Sequence, residues 1–337
     1  MNKIGVIIYG CGVMGRRIAH ALYNKESFEI MGAVDIDPEL VGTDLGKYFP
    51  EQKKIGIIIE KNAEKVLSQA KSQAAVLATT SYLKDIAEQI IQCIKAGVNV
   101  VSTCEELSFP WKSALNKAKK IDRLAKEKEV TVTGTGINPG FLMDTLPLML
   151  TAPCLEVKRI RVIRMMDSSK RRIPFQIKVG TGLTQDEFYK KIEKREITGH
   201  VGLVESIYMI AEGLGWNLDK AVENPPVPVV DEGEIHTGLG LVQPGKVVGL
   251  SSTAYGTMGG EEVITLVFNA NAAVEDEYDE IIITGVPDIQ QKIIGGVHGD
   301  VGTVAVTVNS IPKVLQASPG LKVMKDLPPC AAISAHE

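Results

Sequence analysis

Cysteine is scarce in this chain of 337 residues. The five present, Cys11, Cys93, Cys104, Cys154 and Cys330, are scattered, odd in number and form no Cys-x-x-Cys pair. That pattern argues against a disulfide framework or a zinc site and suits reduced thiols in a cytoplasm. Histidine is equally rare, at five residues without metal-ligand spacing, so no metal is expected. Basic charge is not in excess: 37 Lys and Arg stand against 41 Asp and Glu, a net charge of -4. The electrostatic footprint of a nucleic-acid binder is therefore missing. No apolar run reaches the roughly 18–20 residues that cross a bilayer, so no membrane partner is expected. The opening Met1-Asn2-Lys3-Ile4-Gly5 leads straight into a strand and lacks the features of a secretory signal.

What remains is an ordinary globular composition, 45% hydrophobic and 23% charged, at a length that suits two domains. Residues 4–9 form a continuous apolar run, as a strand buried on both faces does. Further strands are predicted at 29–35, 55–59, 74–78, 99–102 and 130–133. They alternate with helices through Ile18–Leu22 and at 63–70, 83–96 and 111–126. Such alternation implies right-handed crossovers and a doubly wound parallel sheet, an α/β Rossmann domain. After Gly140 the rhythm changes. A helix at 141–149, a strand at 157–166, helices at 185–194 and 201–213, and strands at 247–255, 263–268 and 280–283 describe an α+β domain with a mixed or antiparallel sheet. Residues 224–245 read as a surface loop. Val301, Val304, Val308, Ile311 and Leu315 keep helical spacing, which predicts a helix bent near Pro312. The expected division is a dinucleotide-binding domain over 1–140, a substrate-binding and dimerisation domain over 141–310, and a tail, 311–337, packed back on the first.

The strongest motif is Gly10-Cys11-Gly12-Val13-Met14-Gly15. It follows a predicted strand, opens a helix, and precedes an acid, Asp35, by 20 residues. Gly10 allows the tight turn, Gly12 lets the backbone approach a pyrophosphate, and Gly15 allows the helix to pack closely. The helix N-terminus offers N–H groups and positive dipole to the phosphates. Asp35 would hold the adenosine ribose hydroxyls and repel a 2′-phosphate, which favours NAD. Arg16 and Arg17 stand where either would pair with that phosphate, so NADP stays open. Thr79, Thr80 and Ser81 follow the fourth strand, near the nicotinamide end of a dinucleotide or simply as a helix cap.

Ligands of open α/β sheets bind beyond the carboxyl ends of the strands. Strand five ends in Ser102-Thr103-Cys104-Glu105-Glu106 and strand six in Gly134-Thr135-Gly136-Ile137-Asn138-Pro139-Gly140-Phe141. Two carboxylates in that position suit proton transfer beside a nicotinamide; the alternative is a helix cap or a solvated pair. Removing hydride from an amine-bearing carbon leaves an iminium cation, which a carboxylate stabilises before taking a proton from the attacking water. Glu105 is assigned that role, with Glu106 as the alternative, since neighbours on a loop point apart. Cys104 is a small buried filler or a nucleophile.

The segments Ser102–Pro110, Thr133–Phe141, Gly199–Ser206 and Gly296–Leu327 resemble the 2,4-diaminopentanoate dehydrogenase family, over essentially the whole chain. That family is related to the native amine dehydrogenases and, distantly, to dihydrodipicolinate reductase. The resemblance implies NAD(P)-dependent oxidative deamination of 2,4-diaminopentanoate at C4, giving 2-amino-4-oxopentanoate and ammonia in ornithine degradation. It also implies a catalytic acid at Glu105 and a homodimer. The paired histidines and lysine of dihydrodipicolinate reductase are absent, the comparable strand ending in Arg164-Met165-Met166-Asp167-Ser168-Ser169-Lys170. A diamino acid needs a cation and an anion at its far end. Arg164 and Asp167 are the candidates, with Arg171 and Arg172 beside them. Asn138 is a candidate for cofactor or substrate, Phe141 for a pocket wall, and His200 for a pocket, capping or core residue. His298 lies in a glycine-rich loop that could close on the cofactor. The competing readings are another amine dehydrogenase or imine reductase, which would accept amines without an amino-acid end, and a non-catalytic NAD(P) sensor, which would bind without turnover.

Overall fold

A computed structural model describes residues 3–197 and 199–334. They fall into two compact units, Met1–Phe141 with His298–Glu337, and Leu142–Val297. The chain opens with β1 (Ile4–Tyr9), α1 (Val13–Tyr23) and β2 (Phe28–Val34). β3 (Ile59–Glu60) is only two residues long. The strand predicted at 55–59 is otherwise loop, because Asp44 pins it: its Oδ1 accepts the Ile55 N–H at 3.1 Å and its Oδ2 the Gly56 N–H at 2.7 Å. α2 (Ala63–Gln69), β4 (Ala74–Leu77), α3 (Leu83–Lys95) and β5 (Asn99–Ser102) follow. The helix predicted at 111–126 is two, α4 (Pro110–Ser113) and α5 (Leu115–Glu127), broken at Ala114, whose backbone (φ -138°, ψ 43°) is not helical. β6 (Thr131–Gly134) closes the segment.

In the second unit, α6 (Thr145–Leu150) is shorter than the helix expected from residue 141. β7 (Glu156–Asp167), α7 (Ile173–Lys178), α8 (Gln185–Glu193) and α9 (Leu203–Gly213) come next. β8 (Lys220–Glu223), β9 (Val227–Val230), β10 (Ile235–Thr237) and β11 (Gly240–Val242) occupy much of the stretch read as loop. They are short and half-exposed, so they lack the buried alternation that announces a strand. β12 (Val247–Met258), β13 (Glu261–Asn271), β14 (Tyr278–Val286) and β15 (Ile289–Ile294) complete a mixed sheet of order β15-β14-β7-β13-β12-β8. Only β7 and β13 run parallel within it. One face is buried: Ile160, Val162, Ala254, Ile264, Leu266, Phe268 and Ile281 lie there, and α9 packs against β12, β13 and β8.

Glu223, at the β8 edge, is half-buried and its carboxyl is pushed up to about 7, first by burial and then by Glu205 on α9. A raised folded value means the stabilisation is complete below the unfolded carboxyl range and is lost as pH rises through about 7. The thermal midpoint should therefore fall between pH 5 and 8, and Glu223→Gln should flatten that slope in calorimetric scans.

The chain then returns. α10 (Gly299–Gln316) packs on α1, β5 and β6, and β16 (Gly320–Lys322) pairs in parallel with β6. Residues 298–310, read from sequence as part of the second domain, belong with the first. Their buried positions, Gly302, Val306, Thr307, Val308 and Ser310, explain why: they belong to the same helix as Ile311 and Val314, which are fully buried. The completed sheet has the order β16-β6-β5-β4-β1-β2-β3, with every pairing parallel. The order reverses between β1 and β4, which is where a doubly wound sheet opens its ligand crevice.

Candidate active site

The crevice in the first unit starts at the glycine turn. Gly10 has φ +95°, a conformation only glycine adopts freely. A Cβ on Gly15 would lie 1.8 Å from the Gly10 carbonyl oxygen, so this glycine lets α1 sit against the turn. Gly12 differs. Its backbone (φ -65°, ψ -170°) suits any residue, and a Cβ there would meet nothing within 4 Å. Neither strain nor packing inside the chain calls for glycine at this position; open space for a ligand does. α1 begins there without a side-chain cap and without an acid in its first turn, so its N–H groups and dipole face outward for an anion. These residues fit a dinucleotide pyrophosphate. Gly12→Ala should leave the melting temperature near that of the parent and weaken NADH binding about tenfold or more in a fluorescence titration, because the added methyl occupies the phosphate seat.

Val13 is exposed and Met14 half-buried. Cys11 is fully buried, and burial followed by the Asp35 charge pushes its thiol up to about 12. It is filler, not a nucleophile. Asp35 is tied to the turn: its Oδ2 accepts the Cys11 N–H at 2.6 Å and its Oδ1 the Asp37 N–H at 2.9 Å. Of the two arginines, Arg17 pairs with Asp300 on α10 at 2.7 Å, while Arg16 lies over the Tyr48 ring, 4.7 Å from its centroid. Tyr48 escaped the sequence reading, since nothing local marks a residue in a short turn far from the glycine motif.

The loops after β4 and β5 are stitched together. Thr79 packs its methyl towards Gly10 and donates its hydroxyl to Gln89 Oε1 at 2.8 Å. Thr80 and Ser81 are half-buried. The Ser81 carbonyl accepts the Glu106 N–H at 3.2 Å and the Cys104 thiol at 3.1 Å. Glu106 then caps α3, its Oε2 accepting the Leu83 N–H at 2.7 Å, in place of the missing side-chain cap at Tyr82. The alternative acid is thus committed to holding a helix. Glu105 is half-buried at the head of the following turn. Cys104 is buried and its thiol is pushed upward by burial, so it too is filler. The β6 loop is fixed by the Thr135 N–H bond to Ser102 O at 2.8 Å and the Ile137 N–H bond to Thr303 Oγ1 at 3.4 Å, which leaves Asn138 half-buried. Phe141, at the unit's last position, is half-buried as well. His298 caps α10, its Nδ1 accepting the Val301 N–H.

In the second unit the charges at the end of β7 are already engaged. Arg164 is buried and faces Asp279 at 3.5 Å, while its Nη2 donates to the Val297 carbonyl at 2.7 Å. Asp279 Oδ2 in turn accepts the Val297 N–H at 2.8 Å. Asp167 accepts the Ser169 N–H at 2.8 Å and hydroxyl at 2.6 Å, and pairs with Lys170 at 3.3 Å. These two residues, read from sequence as substrate ligands, hold their own unit together. Arg171, also buried, lies 5.3 Å from the Phe175 ring centroid and close enough to Arg164 to help depress its pKa, after burial. His200 is not the cap of α9, a position held by Gly202; it stacks on Phe268 with ring centroids 4.4 Å apart.

Comparison with known proteins agrees with this anatomy. Residues 141–337 match the 2,4-diaminopentanoate dehydrogenase C-terminal domain, and residues 4–132 the dihydrodipicolinate reductase N-terminal domain. The chain is 34% identical to a 2,4-diaminopentanoate dehydrogenase of Acetoanaerobium sticklandii over 99% of its own length and 96% of that protein. It is 22% identical to an amine dehydrogenase of Streptomyces virginiae, covering 96% of each chain. The solved amine dehydrogenase of Mycobacterium smegmatis superposes with a TM-score of 0.85 at 25% identity, covering 98% of both chains. The glycine cradle, the acid-bearing β5 turn and a match that spans nearly the whole length place this chain in the 2,4-diaminopentanoate dehydrogenase family of oxidoreductases.

Proposed function

We propose that the chain oxidises the C4 amine of 2,4-diaminopentanoate, releasing ammonia and 2-amino-4-oxopentanoate. The observation that carries this reading is the division of labour in the β5 turn. Glu106 is fixed on α3, and Glu105 heads the turn that follows β5, a strand two places from β1 in the sheet order. The bound nicotinamide supplies the hydride acceptor. Gly10, Gly12 and Gly15 would seat its pyrophosphate, and Asp35 would take the ribose hydroxyls, which favours NAD. The Glu105 carboxylate stabilises the iminium carbon formed on the substrate and removes a proton from the water that attacks it. The carbinolamine then collapses to ketone and ammonia.

A homodimer is proposed on the face of the second sheet opposite α9, where Ile163, Met165, Tyr255, Val267 and Ile282 are only partly buried. The five free cysteines suit a reducing cytoplasm, and no helix among the described residues is long and apolar enough to cross a membrane.

The test is formation of reduced nicotinamide from 2,4-diaminopentanoate, ornithine, diaminopimelate and simple alkyl amines, each offered with NAD and NADP. Turnover of diaminopentanoate well above the others supports the proposal. Preference for amines lacking an amino-acid end would replace it with a general amine dehydrogenase, and binding without turnover with a sensor.

A further inference from the structure

Asp35, the acid just after β2, is fixed against the glycine turn. Both its oxygens already accept backbone N–H groups, one from the glycine turn and one from Asp37, so part of its negative charge is offset before any ligand arrives. The turn it makes with Asp37 holds Ile36 outward, 76% exposed, as an apolar platform at the strand tip.

Arg16 lies in the first turns of α1, near enough to Cys11 for its charge to act on the thiol against that of Asp35. Its Nε donates to Gly12 O at 3.3 Å, and its guanidinium lies over Tyr48. Its two Nη groups have no hydrogen-bond or ion-pair partner among the described residues. Tyr48 is itself anchored: its hydroxyl lies 3.1 Å from Thr43 Oγ1, and its turn is held by Asp44, which accepts the Gly46 N–H at 2.9 Å. Lys47 brings a second ammonium within 5.8 Å of the same ring. A planar cation braced on an anchored ring, with its donor fork unspent, is the arrangement that reads a phosphate. Arg17, its neighbour, is consumed by Asp300.

We propose that Arg16, braced on Tyr48, is the receptor for the 2′-phosphate of NADP and sets how this chain divides its affinity between NADP and NAD. The inference rests on the dinucleotide reading of the glycine turn, and it is separable from it. Purified full-length protein is titrated with NADH and NADPH by fluorescence, and with ADP and 2′,5′-ADP by calorimetry. The ratio of NADPH to NADH affinity should fall about tenfold or more in Arg16→Ala, in line with a charge-assisted bond to phosphate. Arg16→Lys, which keeps a point charge but not the fork, should lose part of that ratio. Tyr48→Leu should lower the ratio in the same direction, and Arg17→Ala should keep the parent ratio. The 2′,5′-ADP to ADP ratio should move in parallel.

An Arg16→Ala ratio equal to that of the parent overturns the assignment, as does an equal fall in Arg17→Ala. A parent protein that binds NADH but neither NADPH nor 2′,5′-ADP overturns it and leaves the dinucleotide reading standing. A parent that binds neither coenzyme overturns both.

Discussion

Glu105→Gln is expected to lower kcat by about 10²–10⁴-fold, the usual contribution of a positioned general base, while NADH still binds. The amide keeps the shape of the side chain and loses both functions assigned to it, the negative charge beside an iminium carbon and the lone pair that accepts a proton from water. Glu106→Gln is the matched comparison. That change weakens the cap on α3, where an N-terminal cap contributes about 0.5–2 kcal/mol, and should appear mainly as a lower melting temperature. Stopped-flow measurement of the first turnover, set beside calorimetric melting of both variants, separates the two roles. If Glu105→Gln turns over at the parent rate, the assignment of the β5 turn is wrong.

The largest loss of stability should come from Arg164→Leu. Asp279 is buried; burial pushes its carboxyl upward and Arg164 pulls it part of the way back. Removing the arginine leaves that carboxylate with the Val297 N–H and no facing cation, and orphans the Val297 carbonyl. Breaking a buried pair from one side costs about 3–5 kcal/mol, a large share of the roughly 5–15 kcal/mol that holds a domain folded. The double variant Arg164→Leu/Asp279→Leu should recover much of the loss, because two apolar side chains carry no unmet charge. Urea unfolding of the two single variants and the double variant measures the coupling. Equal losses in Arg164→Leu and in the double variant would show that the ion pair is not what matters there.

How legible all this was from sequence depends on where the information lay. β1, β4 and β5 were readable because parallel strands buried on both faces become short apolar runs, and β2 and β6 because they keep the alternating rhythm of strand and helix. α10 was readable through its β-branched residues because the spacing of Val304, Val308, Ile311 and Leu315 survives any propensity. What failed was set by partners distant in sequence. The 55–59 strand dissolved because Asp44 claims its backbone, and β9 hides behind Pro228 on a half-exposed stretch. The α7 helix and the β8 and β15 strands went unread for the same lack of a buried pattern. At the site, the glycine motif and Asp35 announce themselves locally. The choice between Glu105 and Glu106 does not, because it rests on a bond from Leu83, 23 residues back. Arg164 and Asp167 looked like ligands because their partners, Asp279 and Ser169, cannot be inferred from charge alone.

The first unit is interrupted by the second, and this has a consequence for biosynthesis. The first unit's last strand, β16, and the helix α10 that covers β5 and β6 are made from residues 299–322. A growing polypeptide exposes its N-terminal portion first. The nucleotide unit therefore waits, with β6 as a bare edge, while the inserted unit emerges whole and can fold around its own core. The parallel sheet is complete only once residues 320–322 pair with β6.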